Sequence, residues 1–189
     1  YIPYIGNAFS AGGDLKWLRE RHHEKSPYKN AKTMVDFYNM FLCLHKIPVP
    51  VIAAINGAAI GAGLCMTLAC DMRIVHEKAK LGFTFTKLGI HPGMGSSYLL
   101  PKVIPSIEVA SYLLLSGKIM NGLEGCAKGL AMEAVADKVG RYIYTVYEYL
   151  FKLLFSLYIY IYIYIYIHTP SPFTHSNLSI YLTITTNYP

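Results

Sequence analysis

Hydrophobic and polar positions alternate at two different periods along this chain, and the changes of period mark its elements. From Ala31 to Lys46, the residues Met34, Phe37, Tyr38, Phe41, Leu42 and His45 fall at helical spacing, which predicts an amphipathic helix. Ile47-Pro48-Val49-Pro50 stops it, since proline lacks the N–H and constrains the residue before it. The apolar run Val51-Ile52-Ala53-Ala54-Ile55 that follows has the length and branching of a buried strand. Gly57, Gly61 and Gly63 interrupt that run, and a helical pattern then extends from Gly61 to Ala69. Upstream, Asp14 is placed to cap a short helix reaching about His23, with Leu15, Trp17 and Leu18 available for burial and Ser26-Pro27 as a break. Downstream, strands are predicted at Met72–Val75, Lys80–Phe83 and Ala131–Ala136. Helical segments are predicted at Thr84–Leu88, from a cap at Ser96 through Leu100, at Ile107–Leu115 and at Leu123–Lys128. Strands alternating with helices predict an α/β fold.

The stretch Asn56–Leu68, NGAAIGAGLCMTL, reads as a strand, a tight turn and a helix whose first N–H groups are open. Small residues let a ligand approach the backbone, and a helix N-terminus favours negative charge. Such a turn can form an oxyanion hole, or it can be ordinary close packing of a helix on a sheet. It is not a phosphate P-loop, because no Gly-Lys-Ser/Thr follows the glycines. Phe9-Ser10-Ala11-Gly12-Gly13-Asp14 is a second run of small residues before a helix. Two such turns can offer two N–H donors to one oxygen, which shifts the reading towards a site.

Length and charge narrow the picture. A chain of 189 residues is enough for one domain with a core, and its formal net charge is +6. That excess suits a polyanionic ligand or nucleic acid, but no nucleic-acid motif is present and a solvated basic surface is the simpler account. Cys43, Cys65, Cys70 and Cys126 form no CxxC pair and no metal spacing, and are expected as reduced residues of an intracellular protein, three of them in apolar helical patterns.

Four blocks, AFSAGGDLKWL, IPVPVIAAINGAAIGAGL, ACDMRI and LGFTFTKLGIHPGMGSSYLLP, resemble in order and spacing the crotonase family, the enoyl-CoA hydratase/isomerase superfamily. The resemblance covers about residues 5–139. It implies a crotonase-like spiral of ββα units, incomplete here at both ends, whose intact relatives assemble as trimers or hexamers. It implies an acyl-CoA thioester as substrate partner, with coenzyme A part of the substrate rather than a separate cofactor, and no metal. By the same resemblance, Ala11 and Ala62 occupy the positions whose backbone N–H groups hold the thioester oxygen. Gly12, Gly13 and Asp14 line that loop, and Gly61 and Gly63 flank the second donor. The family places the phosphates of coenzyme A near the basic cluster Lys16, Arg19, Arg21, His22, His23 and Lys25, although a solvated face remains the simpler reading of such a run. Mitochondrial matrix or peroxisome is suggested by the family alone.

Hydratases of this family also use two glutamates, and those positions are Cys65 and Phe85 here; a further carboxylate of some dienoyl-CoA isomerases falls at Gly93. The binding half of the site is therefore present and the usual acid–base half is not. His91 is the candidate substitute, since histidine is the residue type that changes charge near neutral pH. Cys65 lies near a helix N-terminus, which lowers a thiol pKa, but a buried inert cysteine is the preferred reading. Asp71 is expected to be structural. The family chemistry is hydration or isomerisation of an enoyl-CoA; the missing carboxylates lean towards decarboxylation of a malonyl-type thioester, or towards a non-catalytic acyl-CoA-binding or truncated protein.

The chain divides by composition into a core at 1–140 and a Tyr/Ile-rich tail at 141–189 that is not expected to join the fold. Leu150–Ile167 is apolar enough for a membrane span apart from Lys152, and the Tyr-Ile alternation from Tyr158 to Ile167 is also aggregation-prone. A repeated TA dinucleotide read as protein gives the same alternation, and that origin is preferred over a membrane anchor.

Overall fold

The first five strands step alternately between two sheets. The computed structural model describes residues 8–24, 26–136, 139 and 142. By its internal contacts the chain divides after Thr145, and all described residues belong to the first unit. Apart from Tyr142, whose hydroxyl donates to Glu133 Oε2 at 2.6 Å, the Tyr/Ile-rich tail, its membrane-span reading and Lys25 of the basic cluster lie outside the described residues, so the boundary expected near residue 140 stands as an expectation.

One sheet has the order β1 (Ala8–Ser10), β3 (Ala58–Ile60), β5 (Leu81–Gly82) and β6 (Ile119–Met120), parallel except for the β5–β6 pair. The other has the order β2 (Ile52–Ile55), β4 (Met72–His76) and β7 (Glu133–Val135), all parallel. Strands β2 and β3 followed by α3 (Ala62–Thr67), then β4 and β5 followed by α4 (Ser96–Val103), are two turns of a ββα spiral. The fold is α/β and crotonase-like. Parallel strands buried on both faces need continuous apolar runs, and Ala53, Ala54 and Ile55 of β2 and Val75 of β4 are all buried.

Between the layers sit Leu64, Leu81, Phe83, Leu100, Leu113 and Leu130, each at most 1% exposed. Arg73 of β4 ties this core to its surroundings through three carbonyls. Its Nε donates to Leu130 O at 2.8 Å, and one terminal nitrogen donates to Thr67 O at 3.1 Å and Cys70 O at 2.8 Å. Asp71 is structural as expected: its carboxylate accepts from the Val51 N–H at 2.8 Å, joining the entry of β2 to the entry of β4.

Several expectations are corrected. The segment between Gly57 and Gly61 is a strand, β3, rather than part of a turn, and β6 is a further strand that two residues could not signal. Helix α2 runs Pro27–Leu42, so Ser26-Pro27 begins it rather than breaking the chain: Ser26 Oγ accepts from Lys29 N at 3.5 Å, and proline suits the first helical position. Ser96 does not cap α4; Gly95, in the left-handed conformation, does, and the buried Ser96 hydroxyl donates back to Gly93 O at 2.7 Å. Asn121 caps the helix Gly122–Ala127. The four cysteines are free thiols, but Cys65 alone among them is fully buried, and Cys43 is exposed.

Candidate functional site

Asp14 caps α1 (Leu15–His23) as the sequence implies, its carboxylate accepting from Lys16 N at 2.7 Å and Trp17 N at 3.3 Å. The loop Ala11–Asp14 therefore has fixed ends: β1, paired in parallel with β3, on one side and a capped helix on the other. Strand β3 leads directly into Gly61 and α3. Gly61 has φ 54° and ψ −120°, a conformation that glycine adopts without penalty, and its N–H donates to Gly82 O at 2.8 Å. This turn swings the chain from strand to helix so that Ala62 becomes the first helical residue.

The two turns press against each other. A methyl group placed on Gly12 would stand 2.7 Å from Ile60 O and 3.6 Å from the Ala62 nitrogen. One placed on Gly63 would stand 2.5 Å from both Cβ and Oγ of Ser10. The small residues are thus required by a close approach of β1 and its loop to β3 and α3. Ser10 also steadies the loop, accepting the Gly12 N–H at 3.3 Å. Among the described residues, neither the Ala11 nor the Ala62 N–H donates a hydrogen bond to another group of the chain.

Both turns wall one cavity of about 820 Å³. Ala11, Gly12, Gly13, Asp14, Gly61 and Ala62 contribute to its wall, and so does His91, which is otherwise exposed. Gly63 lies behind the wall, packed on Ser10. The opposite side is apolar and comes from α1 and α2, where the Trp17 and Phe37 rings meet at 5.6 Å between centroids. The remaining wall is the segment after β5, with Thr84, Phe85, Ile90, Gly93 and Met94. Met94 holds φ 57° and is 5% exposed, which turns its side chain inward.

Phe85 faces the cavity and cannot transfer a proton. Cys65 lies one turn into α3, fully buried and away from the wall. Burial pushes its thiol up to about 12, outweighing the opposing hydrogen bond with Ser96. The short helix therefore does not activate it, and the inert reading holds. Within the basic cluster of α1, Arg21 is paired to Glu24, to which Lys29 also reaches at 3.7 Å, whereas Lys16, Arg19, His22 and His23 are exposed.

One group in this wall escapes a sequence reading. Tyr38 sits at a helical-stripe position and reads as core, but its hydroxyl reaches the cavity wall beside Gly93 and Phe85. Only the contact itself reveals this, because Gly93 is far away in sequence. Among the described residues, no group of three or more His, Cys, Asp or Glu side chains is placed to hold a metal ion.

Residues 4–152 match the family model described as enoyl-CoA hydratase/isomerase. The mitochondrial methylglutaconyl-CoA hydratase of Mus musculus is 40% identical over 129 residues, which is 67% of this chain and 38% of that protein. The alpha subunit of the fatty acid oxidation complex of a Psychrobacter species is 39% identical over 129 residues, covering 68% of this chain and 18% of that one. Among solved structures, an enoyl-CoA hydratase from Polaromonas superposes with a TM-score of 0.67 at 28% identity, covering 76% of this chain and 56% of its own. One from Bacillus anthracis superposes at 0.65 and 34% identity, covering 75% and 54%. The chain thus spans about half the length of these hydratases, and less of the longer relatives.

Proposed function

This chain belongs to the enoyl-CoA hydratase/isomerase family, and from that membership we propose that its cavity takes an acyl-CoA thioester and polarises the carbonyl between the Ala11 and Ala62 N–H groups. What supports the reading is one observation: the two turns meet against each other in the wall of a single cavity, with both N–H groups unused by the described chain. Two donors at one oxygen stabilise the enolate formed when charge develops beside a thioester carbonyl, and losing one such donor typically costs about 10²–10³ in rate. The donors belong to the backbone, so alanine at position 62 serves as well as glycine. Gly13, Asp14, Gly61 and Gly63 hold the two loops at the required separation. The apolar side formed by α1 and α2 receives the acyl chain.

The reaction class follows from the groups around that oxygen. Cys65 and Phe85 offer no carboxylate, so hydration by paired glutamates has no local machinery here. Loss of carbon dioxide from a malonyl-type thioester needs no base to generate the enolate, and it is the reaction this wall favours. His91, exposed at the wall, is the side chain of this reading that exchanges protons with solvent. His91→Ala slows turnover if it relays protons between solvent and the cavity; an unchanged rate ends that role.

The polarisation is tested by isotope-edited infrared spectroscopy of an acyl-CoA labelled with carbon-13 at the carbonyl. The expected result is a carbonyl stretch moved to lower wavenumber on binding. A bound thioester with the frequency of the free one would overturn the two-donor reading and leave a non-catalytic acyl-CoA-binding protein.

A further inference from the structure

We infer that the hydroxyl of Tyr38 is the acid that delivers a proton to the substrate carbon in this cavity, replacing the absent carboxylates; the inference rests on the acyl-CoA reading of the site. A methyl group placed on Gly93 would stand 2.8 Å from Tyr38 Oη and 3.7 Å from Phe85 Cε1. The phenol oxygen therefore stands beside position 93, which itself adjoins Phe85, and a proton-transferring side chain is missing at both family positions. Tyr38 is half-buried and lines the cavity, and its hydroxyl makes no hydrogen bond to any described residue. Tyr38 therefore stands where a molecule in the cavity can meet its hydroxyl.

The ring is held in place. It meets Phe41 edge-on at 6.3 Å between centroids and Phe37 at 6.2 Å, both on the same helix. Among the other proton-bearing residues of the wall, the Asp14 carboxylate is engaged in capping α1, and Asp36 and His91 are exposed. Tyr38 combines an acidic hydrogen, partial burial and a fixed ring.

The carbon–carbon bond to the carboxylate of a malonyl-type thioester breaks, carbon dioxide leaves, and the bonding pair becomes the enolate held at Ala11 and Ala62. That pair then forms the new C–H bond with the Tyr38 proton. The phenolate regains a proton from water, and the hydroxide so formed is taken up by the carbon dioxide as bicarbonate.

Tyr38→Phe keeps the ring and removes the oxygen. With malonyl-CoA as probe, carbon dioxide release and octanoyl-CoA binding are measured for the wild-type chain and the variant. The expected result is a fall in kcat of at least about 100-fold, with KM, octanoyl-CoA affinity and melting temperature unchanged. A variant that turns over like the wild type overturns the assignment of Tyr38 alone. A wild-type chain that binds octanoyl-CoA but releases no carbon dioxide overturns the proton-delivery role and leaves the binding reading standing. Failure of the wild-type chain to bind overturns the acyl-CoA reading and this role together.

Discussion

Burial holds the Cys65 thiol neutral up to about pH 12, and that single shift has two measurable consequences. The unfolded thiol ionises in its ordinary range, whereas the folded one does not until about 12. Stability is therefore indifferent to this group below the ordinary thiol range and falls as the pH rises from there towards 12, by about 1.4 kcal/mol per unit. Cys65→Ser is expected to flatten that alkaline limb. In native protein at pH 8, the exposed Cys43 is expected to react with a thiol alkylating reagent while Cys65 resists until the chain is unfolded, as peptide mass mapping would reveal. Gly12 carries the other prediction at this scale. A methyl there meets the Ile60 carbonyl at 2.7 Å, and the backbone φ of 99° disfavours any side chain. Gly12→Ala is expected to force the Ala11 and Ala62 turns apart and weaken acyl-CoA affinity at least about tenfold by calorimetric titration, an amount near 1.4 kcal/mol.

At the scale of elements, the long patterns were legible and the short ones were not. The apolar run 51–55 and the amphipathic stripe of α2 are repeated signals, and both elements are found where those signals lie. Strand β3 is three residues between Gly57 and Gly61, two of them alanine, so it leaves no hydrophobic alternation to read. The cap of α4 is hidden for a related reason: Ser96 has the side chain of a cap, but Gly95 supplies the left-handed backbone that turns the chain. The loops at Ala11 and Ala62 were visible as small-residue turns, whereas their contact, and the approach of Tyr38 to Gly93, depend on tertiary packing. Arg73 gives a test at this level. Its guanidinium satisfies three carbonyls between α3, the turn after it and the segment before β7. Arg73→Met is expected to leave them without that donor and to cost about 1–3 kcal/mol in chemical denaturation, since unpaired buried acceptors lose their solvation. Phe83→Ala, at the centre of the core and 0% exposed, is expected to cost about 3–5 kcal/mol by the same measurement.

At the scale of the whole molecule, β1 and the first ββα turn it pairs with bring the loops at Ala11 and Ala62 into one wall, although the chain spans only about half of the hydratases it superposes on. Both sheets and the cavity draw on residues within 8–136, so the cavity that the two loops wall is built from contacts present in this chain. The most direct measurement is a thermal melt of the whole chain with and without octanoyl-CoA, run in parallel on Gly12→Ala. At a ligand concentration about a hundredfold above its dissociation constant, native-state binding adds about 2.7 kcal/mol. The expected result is a cooperative transition that moves upward with ligand in the wild-type chain and moves far less in Gly12→Ala. A wild-type melt that octanoyl-CoA leaves unmoved would contradict it.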